Sequence, residues 1–193
     1  MCHPHTSSTM PRDFEQMCAM RSETPEDSDK GRGRGGSVKL VSRARLPRMG
    51  FADTERNRAA VHEAGHALIA ASRGLGVAVI ELHGSDGAGG MRLREEPSEL
   101  DRVWILYGGP FAEKVVFQKW ASTIISPEHD ELLLAHGLCW KIGIYNTIEI
   151  RDQVEAYLRE QQDRLELIAA RLLEADTVHG AELDELLREA LLS

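Results

Sequence analysis

The residues whose chemistry stands out are V-H-E-A-G-H-A at positions 61–67. His62 and His66 are four apart, so on a helix their imidazoles leave one face a turn from each other. That spacing lets two neutral ring nitrogens share one tetrahedral zinc ion. Glu63 follows the first histidine and falls close to the same face. It is poorly placed to ligate as well, but it can accept a proton from a water activated by the metal. Zinc would lower the pKa of that water and polarise a scissile carbonyl, so the chemistry expected is peptide hydrolysis. Ala64 and Gly65 keep the middle of the motif small, which implies that a neighbouring element or the substrate approaches closely there.

A catalytic zinc takes three protein ligands and keeps a fourth position open. The continuation that supplies a third histidine in metzincins is absent, since Ile69 and Ser72 stand where Gly and His would be. The remaining candidates are Glu81, His83, Glu113, His129, Asp130, Glu131 and His136. Chemistry favours the carboxylates near a helix start, where the backbone is defined. It does not choose between Asp130 and Glu131.

The elements that must position these residues are mostly helical. Thr54 to Arg73 reads as a helix with small or apolar Ala60, Ala64, Ala67, Leu68 and Ala71, stopped by Gly74. Val77 to Leu82 is β-branched and short, which predicts a strand. Gly84 to Gly90 reads as a turn, with Met91 to Arg94 completing a hairpin or small sheet. Ser98 with Asp101 resembles a capping box and opens a helix that Gly108, Gly109 and Pro110 are expected to break or kink. Ser126, Pro127 and Glu128 carry a second start signal for a helix to about Trp140. Ile150 to Leu173 and Ala181 to Leu192 complete a helical C-terminal third. The expected fold class is mainly α (α+β), with a small β-hairpin or sheet and a C-terminal helical bundle.

Charge is uneven along the 193 residues. Residues 1–48 hold nine Lys/Arg and six Asp/Glu, whereas the remainder holds fourteen and twenty-five. So acidic a domain is poorly suited to gripping nucleic-acid phosphates. Residues 1–50 mix Ser, Pro, charge and a Gly/Arg cluster without apolar periodicity, and are expected to be a disordered leader before a domain at 51–193. No apolar run is long enough to span a bilayer. Cys2, Cys18 and Cys139 are scattered and odd in number, which fits a reducing, cytoplasmic setting, with Cys139 a small buried hydrophobe.

Three segments together resemble the zinc peptidase domain of FtsH-type AAA proteases. H-E-A-G-H-A-L-I-A at 62–70 is similar to that family's active-site helix. Y-G-G-P-F-A-E-K-V-V-F at 107–117 resembles its Gly-Gly-Arg-x-Ala-Glu-Glu segment, and S-T-I-I-S-P-E-H-D at 122–130 the stretch ending in its aspartate ligand. L-L-E-A-D-T-V-H-G at 172–180 resembles the family's end region. The resemblance spans roughly residues 55–190. It implies a zinc metalloendopeptidase with His62, His66 and Asp130 as metal ligands, Glu63 as catalyst and Glu113 supporting the site. Zn2+ is the implied cofactor, and flexible or unfolded polypeptide the implied substrate. Pro110 and Lys114 depart from the family pattern, and neither a Walker A sequence nor a membrane anchor occurs among these residues. ATP-driven unfolding is therefore not expected of this chain itself. A separate ATPase partner and a homo-oligomer are compatible with the resemblance. The alternative function is a catalytically silent zinc-binding interaction or regulatory module.

Overall fold

The computed structural model describes residues 50–84, 88–119 and 130–189. The expected leader, with Cys2 and Cys18, lies outside the described residues, as do Ser126, Pro127 and His129.

The organising element is helix α1 (Glu55–Ser72). Thr54 caps it by accepting the Asn57 amide at 3.2 Å, and Gly74, at φ +78°, follows its end. Alanines give this segment high helical propensity, and they also make it thin enough to be surrounded. Every residue from Ala59 to Ala70 is buried except His62, which is half-buried. A helix enclosed on all sides needs several partners. The partners are the β-sheet, helix α2 (Glu99–Phe117) and helix α5 (Gln162–Ala175).

Strand β1 (Val77–His83) pairs antiparallel with β2 (Ala88–Leu93), in a register that sets Leu82 opposite Gly89 and Glu81 opposite Gly90. A short strand β3 (Thr177–His179) pairs antiparallel with the other side of β1. The order is β2-β1-β3, so β2 is an edge among the described residues. Gly89 and Gly90 lie inside β2 and not in the turn that their glycine content suggests. At Gly89 the absent side chain has a packing reason: a Cβ there would stand 2.7 Å from Glu63 Cγ.

Ser98 caps α2 through the Asp101 amide at 3.1 Å, as its spacing predicts. Pro110 does not break the helix, which runs on to Phe117. Burial explains this. Gly108 and Gly109 are held against α1, and Phe111, Ala112 and Val115 are buried beyond the proline. Tertiary packing thus outweighs the loss of one helical hydrogen bond.

Helix α3 spans Glu131–Lys141, with Asp130 as its cap. Helix α4 (Ile148–Glu160) and α5 are separate helices divided at Gln161, where the apolar pattern predicts one continuous helix. The division lets Val154 and Leu158 of α4 and Leu165, Ile168 and Leu172 of α5 all reach the core. Helix α6 (Gly180–Glu189) buries Leu183. The described residues are mainly helical with a small three-stranded antiparallel sheet, as the sequence predicts. No described helix is long and apolar enough to cross a membrane. Cys139 is a buried free thiol.

Candidate metal centre

His62 and His66 project from α1 with ring centroids 4.6 Å apart and planes at 81°. Each ring is held through Nδ1. His66 Nδ1 donates to the Ile105 carbonyl at 2.7 Å, and a carbonyl can only accept. His62 Nδ1 donates to Glu113 Oε1, also at 2.7 Å. With both protons placed on Nδ1, each neutral imidazole turns its Nε2 lone pair outward. Orientation of a ligand histidine through its other nitrogen is a general feature of metal sites.

Glu131 meets both Nε2 atoms. Its Oε2 stands 3.0 Å from His62 Nε2 and its Oε1 3.1 Å from His66 Nε2. Oε2 is buried and makes no aligned hydrogen bond among the described residues, despite that short approach. Three donors around one zinc at ordinary bond lengths stand roughly 3.3 Å from one another, close to these separations. A buried carboxylate oxygen left without a donor is costly on its own. It is well satisfied by a cation at the point where the three side chains converge. His62, His66 and Glu131 are thus a group that could hold a metal ion.

The electrostatics lead to the same demand for positive charge. Burial acts to lower the His62 pKa, but the Glu113 and Glu131 carboxylates outweigh it and push it well up. Burial acts to raise Glu131, but His66 and His62 overcome it and hold the carboxyl far below the usual range. Without a metal, a proton held between these groups serves the same charge balance.

Glu63 lies on the α1 turn between the histidines and is 7% exposed. Its carboxylate is packed on the backbone of β2 at Gly89, where an added Cβ would stand 2.9 Å from Oε1. Burial is the main cause that raises its pKa, with the two imidazoles acting in the opposite direction. It takes no part in the three-donor group. The arrangement therefore offers two distinct acids, one facing the cation site and one standing beside it.

Two close approaches of backbone shape the site. A Cβ on Gly65 would stand 2.5 Å from the Gly108 carbonyl oxygen and 2.5 Å from the Ala112 Cβ. The element that the small residues of the motif make room for is therefore α2. One residue on, a Cβ on Gly109 would overlap the His62 ring, at 2.6 Å from both Cδ2 and Cε1.

The sequence-predicted residues fall as follows. His62, Glu63 and His66 come together as their spacing implies. Asp130, expected as third ligand from the resemblance, is not in the group that could hold a metal, which has its neighbour Glu131 instead. Asp130 Oδ1 accepts the Leu132 and Leu133 amides at 3.0 and 3.2 Å, as the cap of α3. Glu131, one residue on and one methylene longer, is the carboxylate that reaches both histidine Nε2 atoms. Glu113 supports His62 from the far side of its ring. Glu81 lies 3.7 Å from His83, whose side chain is largely exposed, and His136 is exposed on α3; none of the three joins the site. Ile105 is a contributor that sequence reasoning missed, because a backbone carbonyl carries no side-chain signature.

No protein-family model matches the chain, and no curated protein matches it.

Proposed function

We propose that this chain is a zinc-dependent metalloendopeptidase acting on flexible or unfolded polypeptide, the activity that the FtsH-type resemblance implies. His62, His66 and Glu131 are its protein ligands and Glu63 its general base. One observation carries this reading. Two Nε2 atoms and a carboxylate converge on one point, while a second buried carboxylate stands next to them and outside the group.

Zinc bound there would supply Lewis acidity and a water of lowered pKa. The chain's own residues do the rest. Glu113 and the Ile105 carbonyl hold the two imidazoles in the tautomer that leaves Nε2 free. Burial moves the Glu63 pKa upward, towards the range in which a group can both take and return a proton. A Glu63 carboxylate oxygen accepts the proton of the attacking water and delivers it to the amine nitrogen as the peptide C–N bond breaks.

Substrate placement follows from the sheet. The outer side of β2 has no strand partner among the described residues, and Gly89 beside Glu63 presents bare backbone. An extended peptide that adds to this edge by main-chain hydrogen bonds runs past the Glu63 carboxylate. Such recognition reads backbone more than side chains, which suits unfolded substrates.

The test combines metal content with cleavage. Elemental analysis of zinc-supplemented protein should give stoichiometric metal in the wild type and in Glu63→Gln, and little in His62→Ala. Casein should be cut by the wild type, with Glu63→Gln slower by about 100-fold or more. Stoichiometric zinc without any Glu63-dependent cleavage would establish the silent zinc-binding module instead. Wild-type protein without zinc would defeat both readings.

A further inference from the structure

Arg58 lies one helical turn before His62 on α1, and no motif singles it out. Its guanidinium is fixed on three sides. Nε donates to Asp53 Oδ1 at 2.6 Å, Nη1 donates to Glu113 Oε2 at 2.9 Å, and Cζ lies over the Phe117 ring, 4.9 Å from its centre. Glu113 divides its two oxygens between neighbours: Oε2 takes Arg58, and Oε1 takes His62 Nδ1 at 2.7 Å. A chain of charge-assisted hydrogen bonds therefore runs from Asp53, ahead of α1, through Arg58 and Glu113 to a candidate ligand. Asp53 also pairs with Lys119, just past the end of α2.

The exposure figures say why the link matters. The Glu113 side chain is 9% exposed and that of Arg58 13%. A carboxylate so enclosed needs a compensating charge, and removing one partner of such a pair leaves the other uncompensated. Arg58 supplies both the charge and, through a planar guanidinium anchored elsewhere, a fixed direction.

We propose that Arg58 is a positioning residue of the metal centre: it fixes Glu113 so that His62 presents Nε2 to the cation, and so sets the affinity for the metal. The proposal rests on His62, His66 and Glu131 being that centre. A rival account makes Arg58 only a staple between α1 and α2. The two differ in one respect. A staple acts on stability whether or not Glu113 is charged, whereas positioning acts on the metal and only through Glu113.

The experiment measures zinc affinity of the full chain by competition with a chromophoric chelator, together with the visible spectrum of the cobalt-loaded protein. The variants are Arg58→Met, Arg58→Lys, Glu113→Gln and the double variant Arg58→Met with Glu113→Gln. Arg58→Met should weaken zinc binding about 10-fold, in the range seen when a partner of a ligand histidine is removed. It should also alter the cobalt spectrum, and Arg58→Lys should restore part of both. In the Glu113→Gln background the same Arg58→Met change should have little further effect, since coupled residues are not additive. If Arg58→Met does not fold, the comparison passes to Arg58→Lys, which keeps the charge and loses the planar fork. It should then weaken binding by about 3-fold and do so only while Glu113 is present. Wild-type affinity in the Arg58 variants, or an equal loss with and without Glu113, overturns the proposal while leaving the metal centre standing. Wild-type protein that binds no zinc overturns the centre and the proposal with it.

Discussion

Removing the charge at two adjacent positions, Asp130→Asn and Glu131→Gln, separates the proposed ligand from the cap. Asp130 spends its Oδ1 on the amides of Leu132 and Leu133, while Glu131 faces both Nε2 atoms at 3.0 and 3.1 Å. Asparagine caps a helix about as well as aspartate, so Asp130→Asn should cost no more than about 0.5–1 kcal/mol, chiefly the lost charge at the helix N-terminus. Its zinc affinity should stay near that of the wild type. Glu131→Gln keeps the volume and removes the anionic donor. Removing even an outer partner of a ligand lowers metal affinity 10- to 100-fold, so losing the carboxylate itself sets a floor of about 100-fold, or ~3 kcal/mol. In the metal-free protein the same change removes the anion beside two imidazoles, so its unfolding midpoint should move as well. Chelator competition reads the affinity, and urea unfolding with and without zinc reads the stability. A large loss of affinity in Asp130→Asn, with Glu131→Gln close to wild type, would refute the assignment and restore the aspartate that the resemblance implies.

Gly89→Ala places a Cβ 2.7 Å from Glu63 Cγ and must displace that carboxylate. On the proposed function, peptide cleavage should fall by roughly 100-fold through misplacement of the proposed base, with zinc content unchanged; loss of metal would show that Gly89 serves a different purpose. Gly109→Ala pushes into the His62 ring. It should lower both zinc affinity and stability, the latter by about 1–3 kcal/mol as an overpacked contact, and a variant with wild-type zinc affinity would contradict the geometry. Asp101, beside Ser98 and Arg73, supplies a test in pH. Burial acts upward on its carboxyl, but the hydrogen bonds from Ser98 and Arg73 outweigh it and keep the pKa below the ordinary value. A depressed folded-state pKa stabilises above about pH 4, and that contribution is lost as pH falls through the folded value. Asp101→Asn should therefore cost up to about 1 kcal/mol in urea unfolding at neutral pH, with the difference from wild type shrinking as the pH falls below the ordinary carboxylate range; an acid-independent difference would contradict it.

The helical core of the site was legible because it is local. His62, Glu63 and His66 are placed by one helix, and Thr54 and Gly74 mark its ends within the same stretch of chain. The strand β1 and the cap at Ser98 were legible for the same reason. Local rules failed where packing competed with them. Gly89 and Gly90 carry the signature of a turn but occupy a strand, and at Gly89 the Glu63 side chain takes the space that a Cβ would fill. Pro110 carries the signature of a break but sits in an enclosed helix. The division at Gln161 has no glycine or proline to announce it, and β3 is too short to show a period.

From its residues alone, the chain determined a mainly helical domain and a pair of histidines one turn apart with an acid between them, since helical periodicity is written in the chain itself. Which acid meets those histidines was decided only in three dimensions. Asp130 and Glu131 are neighbours with the same charge, and what separates them is that the first amides of α3 claim one while the other faces α1. The partners of the histidines at Nδ1, Glu113 and the Ile105 carbonyl, come from a helix far along the chain, and one of them is backbone. Long-range contacts of this kind arise from the packing of α1 against α2, where Gly65 and Gly108 let the two backbones close.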